Sequence, residues 1–555
     1  MRPTTTSKQF YLLGEDVSTA QDIDVPSSID ENGLRQLVAS HFAIVDSQGI
    51  GFVSENEALT STADVLDADG PVSITIDGKA VHEVPGPKGL PYVGNYLEVF
   101  PDHLGNHARL FEKYGPLFKT NNMGTVNYFT NDPALATIVF TESDFFSKEI
   151  IQGHPLFPIK NQEAGVFTSD TKTEEWKMAH KFLPPFFGPK AVRHYAPTMN
   201  QTVEGAFKVF DELADRDEAW NVYPYMMKLG SQAVGKLILG MDFNHFAGVD
   251  APPHEMVMLI AESLELMKKI TSLPHWYSML PFGDPKRLQS IRDRMEALFL
   301  KVFAEASTGT ENLDLQEAAL KAENMIDYLV RATDNAGNKM PPNKSWQPLV
   351  VATGAGFTTT SSLMSWLIYS LVNYPGMQER LLQELVDNGF TDDTVVTDEL
   401  TSKLTFLDHF VKETQRRHNP SFQPARTAQC DVVLPGGYKV PKGSVVVPSL
   451  HQIHNSPKIW GNPAEFDPDR WDSERVKNRP RNSYMPFATG QRMCIGFNFA
   501  LQEARIFLTK LVWRYHFSLA TEGAIDYDPQ FQLIRPTNLY VRAERRVKWP
   551  PRSDL

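Results

Sequence analysis

The chain has 555 residues, is 42% hydrophobic and carries a formal net charge of −13 at pH 7. That acidity, with no basic stripe, excludes a nucleic-acid partner, and the 2 cysteines exclude a disulfide-stapled secreted framework and suit a reducing compartment. The length exceeds one ordinary core, so one large domain plus an added module is expected.

Charge divides the chain. Residues 1–83 hold 14 acidic and 4 basic side chains, and the remainder is close to neutral. Within this stretch Gln9 to Leu13, Gly51 to Val53 and Val72 to Ile76 read as strands, and Asp77-Gly78 marks a turn. Asp30 is placed to cap a helix whose apolar face is Leu34, Leu37, Val38 and Phe42. The expectation is a small acidic α+β module of the ubiquitin-like β-grasp kind with a docking or regulatory role. It has no cysteine, so it is not an iron–sulfur carrier. The first 30 residues are polar and acidic, so neither a secretion signal nor a membrane anchor is expected. The protein is expected to be cytoplasmic or peripherally membrane-associated, and not secreted.

Val84 to Asn95 is rich in proline and glycine and reads as a stiff hinge before one domain over 96–555. Trp176 and His180 are spaced i, i+4 and share a helix face. Residues 190–345 read as helical, punctuated by prolines. The apolar run from Leu349 to Val372 is broken by glycines and by Thr358, Thr359, Thr360, Ser361 and Ser362, which marks a buried helix and not a lipid-facing span. Glu413 and Arg416 sit i, i+3 on one helix face. Gly437 to Val447 reads as a hairpin.

The stretch with most chemistry is Phe487 to Gly496, F-x-x-G-x-R-x-C-x-G, followed by a helix from Phe497. Cys494 lies at that helix's N-terminus, where backbone N–H groups favour a thiolate. Gly490 and Gly496 let the backbone approach a flat ligand. Arg492 can reach an acidic edge of it, and Phe487 can shield the sulfur.

This pattern resembles the cytochrome P450 family, whose haem iron is held by a cysteine thiolate. The resemblance covers everything from the hinge onward, with a weak leaning to fungal fatty-acid-hydroxylase-like haem domains from Asp242 to Phe246. It implies a mainly α fold with a small β lobe, haem b, and Cys494 as axial ligand. It implies that Arg492, Arg426, Trp176 and His180 hold the haem propionates. It implies a fold-holding cluster of Glu413, Arg416 and Arg470, and a hydrogen-bonding, non-ligating role for His454. Phe167, Phe357, Ala355 and Leu533 fall where relatives line the substrate pocket. Thr359 takes the place of the family's proton-handling threonine. Thr358 replaces the acid beside it, a departure, because no Asp or Glu lies between Gln347 and Gln378.

The implied activity is insertion of one oxygen atom from dioxygen into an apolar lipid or secondary metabolite. No flavin or nicotinamide module follows the haem domain, so electrons are expected from a separate NADPH-dependent reductase. The missing acid keeps open a peroxide-using, rearranging or dehydrating enzyme, and a non-catalytic haem sensor is the third reading. The acidic module is expected to lie against the basic surface of Lys177, Lys181 and Arg492 and so gate electron entry.

Overall fold

The computed structural model describes residues 5–55, 57–305, 311–421 and 424–553. The first element group is a five-stranded sheet of β1 (Thr5–Leu12), β2 (Gln21–Pro26), β3 (Ile50–Ser54), β4 (Glu57–Leu59) and β5 (Val72–Ile76), ordered β2-β1-β5-β3-β4. β1 runs antiparallel to β2 and parallel to β5, the β-grasp arrangement. Helix α1 (Glu31–His41) begins where Asp30 accepts from Gly33 N at 2.7 Å. Its Leu34 and Val38 bury against Phe10, Ile50 and Ile74 in one core. The sequence missed β2 and β4, the two edge strands: β4 has three residues, and in β2 only Ile23 and Val25 alternate among polar neighbours.

This module is joined to the rest through a strand, not a charged face. β6 (His82–Glu83) pairs parallel with Tyr438–Val440, the Ile44 region bridges Val433, and Val433 joins the module's own core. An ion pair between Lys439 and Glu15 and a hydrogen bond from Gly436 N to Asp77 Oδ2 at 2.8 Å frame the contact. The expected docking on Lys177, Lys181 and Arg492 is therefore corrected. Lys177 pairs with Glu174, Lys181 with Asp334, and Arg492 bonds Thr171, Val166 and Ser169. Exposed strand edges in Val432–Val440 offer backbone pairing, which outcompetes screened surface charge.

Helix α2 (His103–Tyr114) precedes β7 (Leu117–Asn122) and β8 (Thr125–Thr130). These strands belong to a second five-stranded sheet with Phe146–Ser147, Arg426–Ala428 and Val445–Pro448. The hairpin expected over Gly437 to Val447 is not one. Tyr438–Val440 pairs with Val432–Leu434, whereas Val445–Pro448 pairs with β8 and Arg426–Ala428. Pro441 to Ser444 turns the chain from one sheet to the other, with Gly443 at φ +78°.

The helical body holds the largest hydrophobic core. Its main members are α3 (Glu174–Phe182), α4 (Val222–Val234), α5 (Glu255–Thr271), α6 (Pro342–Asn373), α7 (Thr405–Arg417) and α8 (Phe497–Arg514). α6 and α4 cross closely because Gly230 and Gly356 face each other's helix. A Cβ on Gly230 would lie 3.2 Å from Ser361 Oγ, and one on Gly356 would lie 3.2 Å from Val234 Cγ2. Among the described residues no helix is long and apolar enough to cross a membrane.

Candidate active site

The turn from Phe487 to Gly496 is closed by hydrogen bonds from Cys494 N to Phe487 O at 3.0 Å and Met493 N to Gly490 O at 3.1 Å. Gly490 holds φ +79°, and a Cβ there would sit 2.7 Å from the Phe140 carbonyl oxygen, so only glycine fits. A Cβ on Gly496 would meet nothing within 4 Å. The Cys494 side chain is exposed, yet the chain packs densely around it. Burial pushes its thiol up to about 11, with the Gly496 N–H acting in the opposite direction. An exposed side chain set among dense packing points to an unfilled space at the start of α8.

Beside this turn a set of cations is buried. Arg492 donates to Thr171 Oγ1 at 2.9 Å, Val166 O at 2.7 Å and Ser169 O at 3.0 Å, all uncharged acceptors. Its guanidinium lies 5.1 Å from the centroid of the Trp176 ring, which stacks on His180. Burial, and then the neighbouring Arg426, lower Arg492 to about 9. Lys148 is pushed well below the usual lysine range by burial and then by Arg492 and Arg426, and its Nζ donates to Phe167 O at 2.6 Å. Arg426 pairs with Glu142, while its Nη2 has no hydrogen-bond partner. Asp170 is already paired with Lys160 at 2.9 Å. Lys148, Lys160, Arg426 and Arg492 thus gather around Glu142 and Asp170, more basic groups than acidic ones, an arrangement that suits a further anion.

α6 passes the void with Ala355, which is exposed although it lies in mid-helix, and Thr359, one turn on. Both Thr358 and Thr359 donate back to the carbonyl four residues earlier, Gly354 at 2.7 Å and Ala355 at 2.8 Å, as do Thr360 and Ser362. Thr358 is buried, about 100° around the helix from Thr359.

The family-level comparison decides what this geometry belongs to. The profile described as Cytochrome P450 matches residues 84–541. The chain belongs to the cytochrome P450 family. The cytochrome P450 monooxygenase alnD of Emericella nidulans is 46% identical over 99% of this chain and 100% of its own. The bifunctional cytochrome P450/NADPH–P450 reductase ascE of Acremonium egyptiacum is 28% identical over 83% of this chain and 43% of its own. The crystal structure of the cytochrome P450DA heme domain superposes with a TM-score of 0.74, covering 84% of this chain and 99% of that one at 22% identity, a likeness of fold.

The residues present fit the P450 haem. Cys494 supplies an exposed thiol at the turn, Gly490 and Gly496 leave the turn slim, and the surplus of basic groups suits the acidic propionates. The Glu413 cluster forms beneath this turn. Arg416 Nε and Nη2 donate to the two oxygens of Glu413 at 2.9 and 2.8 Å, and Arg470 Nε donates to Oε1 at 3.3 Å. All three are buried, and the arginines bind carbonyls of His454, Trp460, Asn462, Pro463 and Glu465. Met485 N donates to His454 Nε2 at 3.0 Å, which ties that ring to the segment entering the cysteine turn.

One expected pocket residue is corrected. Phe357 is fully buried in the hydrophobic core, because it lies two positions after Ala355, which turns it about 200° away toward α4. Phe167 is 47% exposed, with Lys148 Nζ 4.2 Å from its ring centroid. Leu533 is half-buried beside Ile534, whose carbonyl receives Trp366 Nε1 from α6 at 3.0 Å. Phe422 and Gln423, in the stretch before Arg426, lie outside the described residues.

Sequence reasoning missed Lys148, Glu142 and Glu503. Glu503 lies on α8 and is wholly buried, and neither carboxylate oxygen has a hydrogen-bond partner. Burial raises it well above the usual glutamate range; the Thr360 hydroxyl, the one polar group acting on it, donates its own proton to Gly356 O. The only signal was its position, nine residues after Cys494, which says nothing of a partner on another helix.

Proposed function

We infer that the protein works as a cytochrome P450 monooxygenase, an oxidoreductase. We propose that Cys494 is the axial ligand of haem b and that the substrate is an apolar small molecule, a lipid or secondary metabolite, oxidised with electrons from a separate NADPH-dependent reductase. The haem supplies reductive activation of dioxygen. The observation that carries the reading is the surplus of basic groups, buried Lys148 and Arg426 with half-buried Lys160 and Arg492, beside the cysteine turn.

Arg426 and Arg492 would hold and neutralise the propionates, with Trp176 and His180 beside Arg492. The α8 N-terminus and the Gly496 N–H stabilise the Cys494 sulfur in its ionised form. Ala355 leaves room over the ring. Thr359 holds a proton at Oγ1 on the void side of α6. The departure at Thr358 finds its counterpart in Glu503: burial raises this carboxyl well above the usual glutamate range, and it interacts with the next hydroxyl along α6, that of Thr360.

The test is turnover under isotopically labelled dioxygen with a reductase, reduced nicotinamide and an apolar metabolite extract, read by mass spectrometry. One labelled oxygen atom in a product supports the reading. A product without label, or one formed without reductase, overturns it.

A further inference from the structure

A second basic cluster shares no residue with the one beside the cysteine turn. A groove of about 440 Å³ is lined by Lys412 from α7 and by Trp471, Lys477, Arg479, Arg481 and Tyr484 from the stretch that leads toward that turn. The volume is that of a small-molecule site. The chain as a whole is acidic, at −13, so a basic groove on it is a local feature and not the general sign of the surface.

Arg479 sets the chemistry of the groove. Its guanidinium carbon lies 4.9, 5.1 and 6.0 Å from the ring centroids of Trp460, Trp471 and Tyr484, so three aromatic rings fix its position. Its Nη1 donates to Val476 O at 3.0 Å, an uncharged acceptor, and it makes no ion pair among the described residues. Burial lowers the guanidinium below the usual arginine range. Trp471 adds an Nε1–H, a donor only, which is buried without a hydrogen-bond partner among the described residues. Tyr484 is satisfied, since its Oη donates to Gln415 Oε1 at 3.1 Å.

The carboxylates nearby are committed elsewhere. Asp408 pairs with Lys412 at 2.5 Å and is shared with Arg505 at 2.7 Å. Glu474 pairs with Lys477 at 3.0 Å. Asp472, next in the chain to Trp471, is exposed and lies 3.7 Å from His409. A cation is repelled from such a groove, and a neutral guest leaves half-buried Arg479 without a counter-charge. A phosphate group brings about two negative charges and acceptor oxygens on several sides. It can accept a bidentate pair from the Arg479 fork, with Lys412 reaching from α7 and Lys477 and Arg481 from the other wall.

The groove also adjoins the supports of the cysteine turn. Tyr484 is followed by Met485, whose N donates to His454 Nε2 at 3.0 Å, and the turn opens at Phe487. On α7, Lys412 is followed by Glu413, which holds Arg416 and Arg470. A ligand that joins Lys412 to Arg479 therefore ties α7 to the segment entering the turn.

We propose that this groove binds the phosphate or pyrophosphate group of a small molecule, and that its occupancy braces the segment entering the cysteine turn. The site stands independently of the reaction the haem domain performs.

The experiment titrates the haem-loaded full chain with pyrophosphate at fixed ionic strength, read by calorimetry. Saturable binding at one site is expected. Arg479→Met and Lys412→Met are each expected to weaken it about tenfold or more, the worth of a hydrogen bond to a charged group. Absence of saturable binding, or equal affinity in both variants and the unaltered protein, overturns the site. The titration of the unaltered protein and the half-buried Lys412 keep the test decisive even if Arg479→Met does not fold. Flotation with vesicles of phosphatidylcholine and phosphatidate, reversed by pyrophosphate, assigns the phosphate to a lipid headgroup; pyrophosphate binding without flotation assigns it to a soluble compound. Saturating pyrophosphate is expected to slow haem transfer to a scavenging apoprotein severalfold. A transfer rate that pyrophosphate does not move overturns the bracing.

Discussion

Arg426 and Glu142 form a buried ion pair, Nε to Oε1 at 3.0 Å, with 2% and 7% of their side chains exposed. Glu142 is itself fixed by Ser147 Oγ and Lys148 N at 2.8 and 3.1 Å, so Arg426 is held by one edge while its Nη2 has no hydrogen-bond partner. Arg426→Leu is expected to speed haem loss about tenfold or more, the worth of one charge-assisted hydrogen bond. The check is transfer of haem to an excess of a scavenging apoprotein, with circular dichroism confirming the fold. Unchanged transfer would remove Arg426 from the propionate role.

Glu413 serves two arginines at once. Glu413→Ala leaves Arg416 and Arg470 buried without their counter-charge and is expected to cost about 3–5 kcal/mol. Urea unfolding of the haem-loaded protein measures it. Glu413→Gln keeps one acceptor oxygen and is expected to fall between that variant and the unaltered chain.

Glu503 sets a pH dependence whose sign is fixed by its burial. Its folded-state carboxyl titrates far above the unfolded one. Below the unfolded value, about 4.3, both states are protonated and the group contributes nothing. As pH rises past that value the unfolded chain releases a proton that the fold retains, so stability falls, by up to about 1.4 kcal/mol per pH unit. Glu503→Gln is expected to unfold at higher urea than the unaltered protein at pH 8 and to converge with it near pH 4. An infrared carboxylic-acid band at pH 8, absent in Glu503→Gln, identifies the protonated group directly. Coincident urea curves at pH 8 would show that Glu503 is ionised in the fold.

Val433 carries the contact between the acidic module and the β lobe. It is 4% exposed and packs into the module's core. Val433→Asp buries an unpaired carboxylate there, at a cost of several kcal/mol. Limited proteolysis is expected to cut the 84–95 stretch faster in this variant, while the carbon-monoxide difference spectrum of the haem domain is retained. An unchanged cleavage rate would mean that the module is held by other contacts.

The sequence alone determined the family-level features. The ten-residue turn around Cys494, the i, i+3 spacing of Glu413 and Arg416, the capped helix at Asp30 and the absence of an acid on α6 are all local patterns, set by neighbours within a turn or two. Such patterns follow from backbone geometry and are legible without a fold. The tertiary structure decided everything that depends on residues far apart in the chain. Lys148, Glu142 and Arg426 meet only when Phe146–Ser147 pairs with Arg426–Ala428. Glu503 meets Thr360 only when α8 crosses α6. The groove at Arg479 forms only where α7 meets the stretch from Trp471 to Tyr484. Phe357 faces the core and not the void because α4 packs on that side of α6. The acidic module met an open strand edge instead of the basic face because backbone hydrogen bonds hold at short range, whereas exposed charges are screened by solvent.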